Sequence, residues 1–186
     1  MTAGAESPFR AWAAAQPPSA GALGVVALVE GVMAATPKRA WVFPGRRERG
    51  AAILRGADAD RLAEARPYKV VPPGESPAVR ALEAVGVALA GEPAVVFLGT
   101  GSVSYGAFHE AMQLAAAHRA PVVFVVSWYT GEGPFAPQLA VSPVVLAGAV
   151  GLATATATGA DAESVRAAVA SVGSGPALVL VEMPHG

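Results

Sequence analysis

Between Gly99 and Gly106 the chain reads Gly-Thr-Gly-Ser-Val-Ser-Tyr-Gly, directly after the apolar run Ala94 to Leu98 and directly before a helical pattern from Ala107 to Arg119. A turn from a buried strand into a helix offers free backbone amides at the positive end of the helix dipole. Glycines let a ligand approach that backbone closely. The chemistry is that of an anion site, with Gly99, Thr100, Gly101 and Ser102 as its first contacts. The same glycines also suit a plain tight turn, and spacing alone leaves both readings open. A dinucleotide site is the weaker idea: the spacing is not Gly-x-Gly-x-x-Gly, and the next strand ends in Ser127-Trp128-Tyr129 with no acid to hold a ribose hydroxyl.

The second concentration of polar residues is Arg46-Arg47-Glu48-Arg49, framed by Gly45 and Gly50. Arginines at this density bind phosphate well through paired N–H donors. They equally make a solvated or interface charge run. The three histidines are His109, His118 and His185, and none stands at a ligand spacing from an acid, so no metal site is expected. His109 reads as a packing or interface residue, and His118 suits the negative end of its helix. Ser102 and Ser104 lack a paired base, which leaves nucleophilic catalysis unsupported. Glu110 and Glu132 could approach the cleft, although carboxylates there are commonly solvated or paired.

These residues need a frame to hold them. Ala20 to Thr36 reads as a mostly apolar helix ended by Pro37, and Trp41 to Pro44 as a short extended piece. Ala51 to Arg66 is helical in one or two pieces, and Pro67 to Pro77 is a loop. Ser76 can cap a helix that starts at Pro77 and runs to about Ala90. Ala94 to Leu98 and Pro121 to Val126 are wholly apolar, as strands buried on both faces are. A helix near Pro143 to Val150, a strand near Ala153 to Ala157, a helix from Asp161 to Val172 and a strand from Pro176 to Glu182 complete the pattern. Such alternation predicts an α/β fold: a mostly parallel sheet with helices on both faces. No repeat and no linker divides the chain, so one domain is expected over residues 1–186, with 1–19 as a flexible N-terminal segment.

Composition narrows the setting. Hydrophobic residues make up 53% and charged residues 15%, against about 25% charged in ordinary soluble domains. Part of that apolar excess should lie in a subunit interface. A net charge of −1 favours neither nucleic acid nor an anionic membrane. There is no cysteine, hence no disulfide or thiolate chemistry. The N-terminus lacks an apolar signal core, which fits a cytoplasmic protein. From Gly133 to Ala160 there is no charge, but Pro134, Pro137, Pro143 and the threonines point to a loop, a buried helix and a buried strand rather than a membrane span.

Taken in order, Gly99-Thr100-Gly101, the run Gly106-Ala107-Phe108-His109-Glu110-Ala111 and the strand Pro121 to Val126 resemble the thiamine-binding stretch of the alpha subunits of thiamine-diphosphate-dependent 2-oxo acid dehydrogenases. That stretch reads Gly-Asp-Gly, a Gly-x-Phe-His-Glu-Ala-Leu-Asn helix, a Pro-Val-Val-Phe-Val-Val strand and an Asn-Asn pair. Gly24 to Pro44 is similar to the family's first helix and its Trp-Val-Phe-Pro ending. Phe43 to Gly50 is similar to its Tyr-Arg-x-His-Gly segment, and Gly159 to Glu182 to its closing helix and strand. The resemblance spans about Gly24 to Pro184. It implies a three-layer thiamine-diphosphate-binding fold, and a Mg²⁺ held by the Asp and the second Asn that in turn holds the cofactor's diphosphate.

Carried over residue by residue, the resemblance puts Thr100 at the Asp position and Tyr129 at the ligand Asn, with Trp128 before it. The Tyr-Arg pair falls on Arg46 and Arg47, the His on Arg49, and a Gly-Gln-Glu-Ala stretch on Gly24 to Ala27. Mg²⁺ prefers oxygen ligands that usually include a carboxylate. Thr100 offers only a hydroxyl, and Tyr129 a bulky phenol. The segment Arg66 to Pro77 is also shorter than in the family, and Met183 to Gly186 ends before a His-rich loop would begin. The expectation is an alpha-subunit-like protein that has lost Mg²⁺ and thiamine diphosphate, with no cofactor, acting as a non-catalytic or regulatory subunit or scaffold. Its partner would be a second copy or a beta-like, pyrimidine-binding subunit. One alternative is a working thiamine-diphosphate-dependent half-site completed by the beta-like partner, which in the family supplies the activating glutamate. The other is a sensor of a small anion or nucleotide. Arg47, Gly99, Thr100, Gly101, Ser102 and Tyr129 would line the site in any of these.

Overall fold

The structure, a computed structural model, describes residues 7–74, 76–129 and 139–183. In chain order its helices and strands are α1 (Pro8–Ala15), α2 (Val26–Ala35), β1 (Trp41–Phe43), α3 (Ala51–Leu54), α4 (Pro77–Leu89), β2 (Ala94–Gly99), α5 (Gly106–His118), β3 (Val122–Trp128), α6 (Pro143–Ala149), β4 (Ala153–Thr158), α7 (Ala162–Ser171) and β5 (Ala177–Glu182). The five strands form one sheet in the order β1-β2-β3-β5-β4, and every neighbouring pair is parallel. The α/β expectation therefore holds in its three layers.

The apolar runs explain the centre. β2 and β3 are buried along almost their whole length because helices cover both faces. On one face α1, α2, α3 and α7 pack on Val95, Phe97, Val123, Val125, Val179 and Val181. On the other, α4, α5 and α6 pack on Val96, Leu98, Phe124, Val126, Leu178 and Leu180. Alternate residues of each strand thus feed opposite cores, as the pleat requires. Gly31 lets α2 lie directly on α7: a Cβ there would stand 2.4 Å from the Ala162 carbonyl and 2.6 Å from the Val165 Cβ.

Several expectations need correction. The N-terminal segment expected to be flexible contains α1, whose Phe9 and Ala13 are each 1% exposed and belong to the core. The helix expected from Ala20 starts only at Val26, because Gly21 takes a left-handed φ of 63° and separates two 3-10 turns. Ser76 occupies the N-cap ahead of Pro77, but its hydroxyl makes no capping bond. Asp161, by contrast, accepts from the amides of Glu163 at 3.0 Å and Ser164 at 3.1 Å. The charge-free stretch is not a buried helix and strand. β4 forms an edge, and four of its residues, Ala153, Thr154, Thr156 and Thr158, are exposed. No described helix is long and apolar enough to cross a membrane.

The two edges of the sheet differ. Outside β1, the Val42 amide donates to the Lys69 carbonyl at 2.8 Å and the Val71 amide to the Val42 carbonyl at 2.9 Å. Buried Arg80 of α4 fastens this segment by donating to the carbonyls of Val71 at 2.7 Å and Pro72 at 2.8 Å. That edge is closed. β4 has no neighbour on its outer side among the described residues.

Candidate functional site

All parallel strands point their carboxyl ends the same way, so the turns after β1, β2 and β3 meet at one rim of the sheet, where open α/β sheets bind ligands. Gly45 to Gly50 follows β1, a 3-10 turn over Thr100–Ser104 follows β2, and Tyr129 follows β3. The rim therefore collects Arg47, Gly99, Thr100, Gly101, Ser102 and Tyr129.

Their hydrogen bonds show what holds them. Thr100, 4% exposed, donates from its hydroxyl to the Ser127 carbonyl at 3.1 Å and accepts from the Tyr129 amide at 2.9 Å. Ser127 answers in the other direction, donating from its hydroxyl to the Leu98 carbonyl at 3.2 Å. These bonds clamp the ends of β2 and β3 together beyond their ladder. Ser102 is buried, and the hydroxyl of Ser104 donates to the Gly101 carbonyl at 3.1 Å. Apart from its own neighbours in the chain, a Cβ added at Gly101 or Gly106 would meet no atom of the described residues within 4 Å.

Arg47 and Tyr129 are brought together. The guanidinium donates to the tyrosine hydroxyl at 3.1 Å and lies 5.5 Å from the ring centroid, a cation–π contact as well as a hydrogen bond. The rest of the basic run divides. Arg49 donates to the Gln16 side chain at 2.6 Å and sits 5.4 Å from the Trp12 ring centroid, which ties the segment to α1. Arg46 is exposed. The run is thus neither a uniform solvated patch nor a single phosphate clamp.

Between the arginines, Glu48 is 7% exposed. Burial pushes its pKa up, and this outweighs the amides of Glu48 and Gly45 and the charge of Arg47, which pull it down. A carboxyl whose pKa is raised on folding adds stability below its unfolded value, and that stability is lost as pH rises through the folded value. Glu48→Gln is therefore expected to melt above the wild type at neutral pH. The gap should close as pH falls into the carboxylate range. Thermal melts across that range check it; a gap that widens on acidification would contradict the assignment.

Two features of this rim had weak signals in sequence. Glu48 is the lone acid inside a basic run, which hinted at a special role. Ser127 ends an otherwise apolar strand, and its clamp with Thr100 joins residues too far apart in the chain for spacing to reveal.

The other candidates lie elsewhere. His109 packs edge-on against Phe108 at 5.8 Å and, with Glu110, Gln113 and Leu114, lines a shallow open depression along α5. His118 is exposed in the last turn of α5. Glu132 and His185 lie outside the described residues.

The donors at the rim do not fit Mg²⁺. The Thr100 hydroxyl is already engaged as donor and acceptor, none of its hydrogen-bond partners is a carboxylate, and the Tyr129 hydroxyl accepts from a guanidinium, whose charge would repel a divalent cation. Among the described residues no group of three His, Cys, Asp or Glu side chains comes together to hold a metal.

Comparisons with known proteins bear on the frame rather than on this rim. No family model matches the chain, and no curated protein matches it. A solved structure from Mycobacterium smegmatis, described as a "putative thiamin diphosphate-dependent enzyme", matches with a TM-score of 0.57 and 22% identity over 85% of this chain. The chain spans 31% of that structure's length. At this identity the likeness shows the fold alone: the chain shares the α/β fold of that structure.

Proposed function

We propose that this chain is a cytoplasmic, alpha-subunit-like relative of the 2-oxo acid dehydrogenases that does not bind Mg²⁺ and thiamine diphosphate. It works as a non-catalytic subunit or scaffold, paired with a second copy or with a beta-like partner. The observation that carries this is the Thr100 hydroxyl. It is committed to Ser127 and Tyr129 at the position where the resembled family needs a free carboxylate. A side chain that closes the strand ends from within is poorly placed to hold a metal from outside.

Calorimetric titration with thiamine diphosphate and Mg²⁺ tests it. The wild type is expected to give no binding heat. The double variant Thr100→Asp, Tyr129→Asn restores a carboxylate and an amide oxygen and frees Arg47, and is expected to gain affinity. Micromolar binding by the wild type would defeat the proposal.

One observation favours a second reading. No atom of the described residues beyond the local chain lies within 4 Å of a Cβ at Gly101 or Gly106, these glycines adjoin the N-terminus of α5, and Arg47 stands at the same rim. A diphosphate or another small anion could be held there by amides and arginine without a metal. The chain would then be a thiamine-diphosphate-dependent half-site awaiting its beta-like partner, or an anion or nucleotide sensor. A melting temperature raised by phosphate or a nucleotide, but not by thiamine diphosphate, would select the sensor.

A further inference from the structure

From Leu139 to Ala160 the chain has no charged side chain, and much of this stretch is at the surface. Val141 is 46% exposed and Val145 of α6 59% exposed, while β4 (Ala-Thr-Ala-Thr-Ala-Thr) forms the open edge of the sheet. Natural edge strands are blunted by lysine, proline, bulges or a covering segment. The β1 edge is covered. β4 has none of these devices among the described residues.

The hydrogen-bond phase of β4 decides what it can pair with. In a parallel strand, both backbone groups of one residue point to the same neighbour, and alternate residues point to opposite sides. The Ala153 amide donates to the Pro176 carbonyl at 3.1 Å and the Gly159 amide to the Glu182 carbonyl at 2.7 Å, so odd-numbered residues face β5. The even-numbered threonines face outward. Thr158 is already engaged: its amide donates to the Ser164 hydroxyl at 3.2 Å, and its carbonyl accepts from the Asp161 amide at 3.4 Å. Thr154 and Thr156 keep outward N–H and C=O groups with no partner among the described residues.

We propose that β4 pairs antiparallel with β4 of a second copy of this chain, about a two-fold axis through Ala155, to make one continuous sheet across the dimer. This register sets Thr154 opposite Thr156 of the other copy, and the reverse, so every free outward group is used. Thr then faces Thr on the α6 side, a favourable cross-strand pair. Ala155 faces itself in a non-hydrogen-bonded pair at about 4.5 Å between Cα atoms, a close approach that its small side chain permits. A slip of one residue would set Thr against Ala and turn the free groups away from each other.

The absence of charge points to self-pairing in particular. An isologous interface brings residues near the axis against their own copies, so any charge there would meet its like. Strand pairing alone buries less than the roughly 1,000 Å² that a stable interface needs. The two-fold also places both copies of α6 on the same face of the joined sheet, where Val141 and Val145 extend the contact. The proposal gives a surface to the self-pairing named above but does not depend on the cofactor reading. Sizing tests the one, and titration with thiamine diphosphate the other.

Light scattering coupled to size exclusion, over a wide concentration range, is expected to return the mass of a dimer. Thr156→Pro removes an outward amide that the monomer does not use, and proline is tolerated on an edge strand. It is expected to give a monomer with an unchanged circular dichroism spectrum. Should that variant fail to fold, Thr154→Lys with Thr156→Lys takes its place, with the same expected mass. Ala155→Cys in this cysteine-free chain is expected to form a disulfide-linked dimer on mild oxidation, since the paired Cα atoms lie within disulfide range. A monomeric wild type, a dimer that survives the folded Thr156→Pro or double-lysine variant, or an uncrosslinked Ala155→Cys would each overturn the proposal.

Discussion

Thr100→Val should lower the unfolding free energy substantially, while Thr100→Ser should remain close to the wild type. The two side chains bracket one atom. Valine keeps the shape and removes the hydroxyl, which leaves the Tyr129 amide without its acceptor and the Ser127 carbonyl without its donor. Each buried polar group left unpaired costs about 1–3 kcal/mol. Serine keeps both bonds and loses a methyl group, worth roughly 0.8 kcal/mol. Urea denaturation with a common slope measures the difference. Equal stability of the valine and serine variants would mean that the clamp contributes nothing, and would leave the hydroxyl free for a ligand.

Phe124→Ala should have the largest effect on stability, about 3–5 kcal/mol. Phe124 lies in β3, the middle strand of the sheet, is fully buried, and meets the Phe108 ring edge-on at 5.8 Å. Its removal opens a void between β3 and α5 that the close-packed interior fills only in part. Single domains have roughly 5–15 kcal/mol in total, so a large share of the folded margin would go. The check is again the denaturation midpoint. A loss under about 1 kcal/mol, the level of a well-tolerated swap, would show that the α5 layer relaxes into the space.

What could be read from sequence was local. Ala94 to Leu98 and Pro121 to Val126 read as buried strands because nothing in them is polar. Ser127 and Trp128 complete the second strand, where a hydroxyl and a partly buried ring end the apolar run. α1 is not legible in the sequence because Pro8 and Pro17 frame only a short helix, whose anchor, Phe9, finds its core through distant residues. Composition alone puts the charge-free stretch in the interior. Its place at the surface follows from strand order, which spacing does not encode. At the rim, the family resemblance puts Thr100 and Tyr129 at the two metal-ligand positions, which implies that they stand close together. The bonds that commit them, and the arginine that joins them, depend on three turns meeting in space.

The strand order has a consequence for how the molecule comes into being. β5 is made after β4, yet it sits between β4 and β3. While the chain emerges from a ribosome, β3 and β4 can each be complete and still have no contact with one another until Ala177 to Glu182 slots between them. β4 thus waits for its keystone. In that interval the aliphatic sides of β3 and the bare threonine ribbon are open to other nascent chains, a hazard that slow, non-local parallel pairing prolongs.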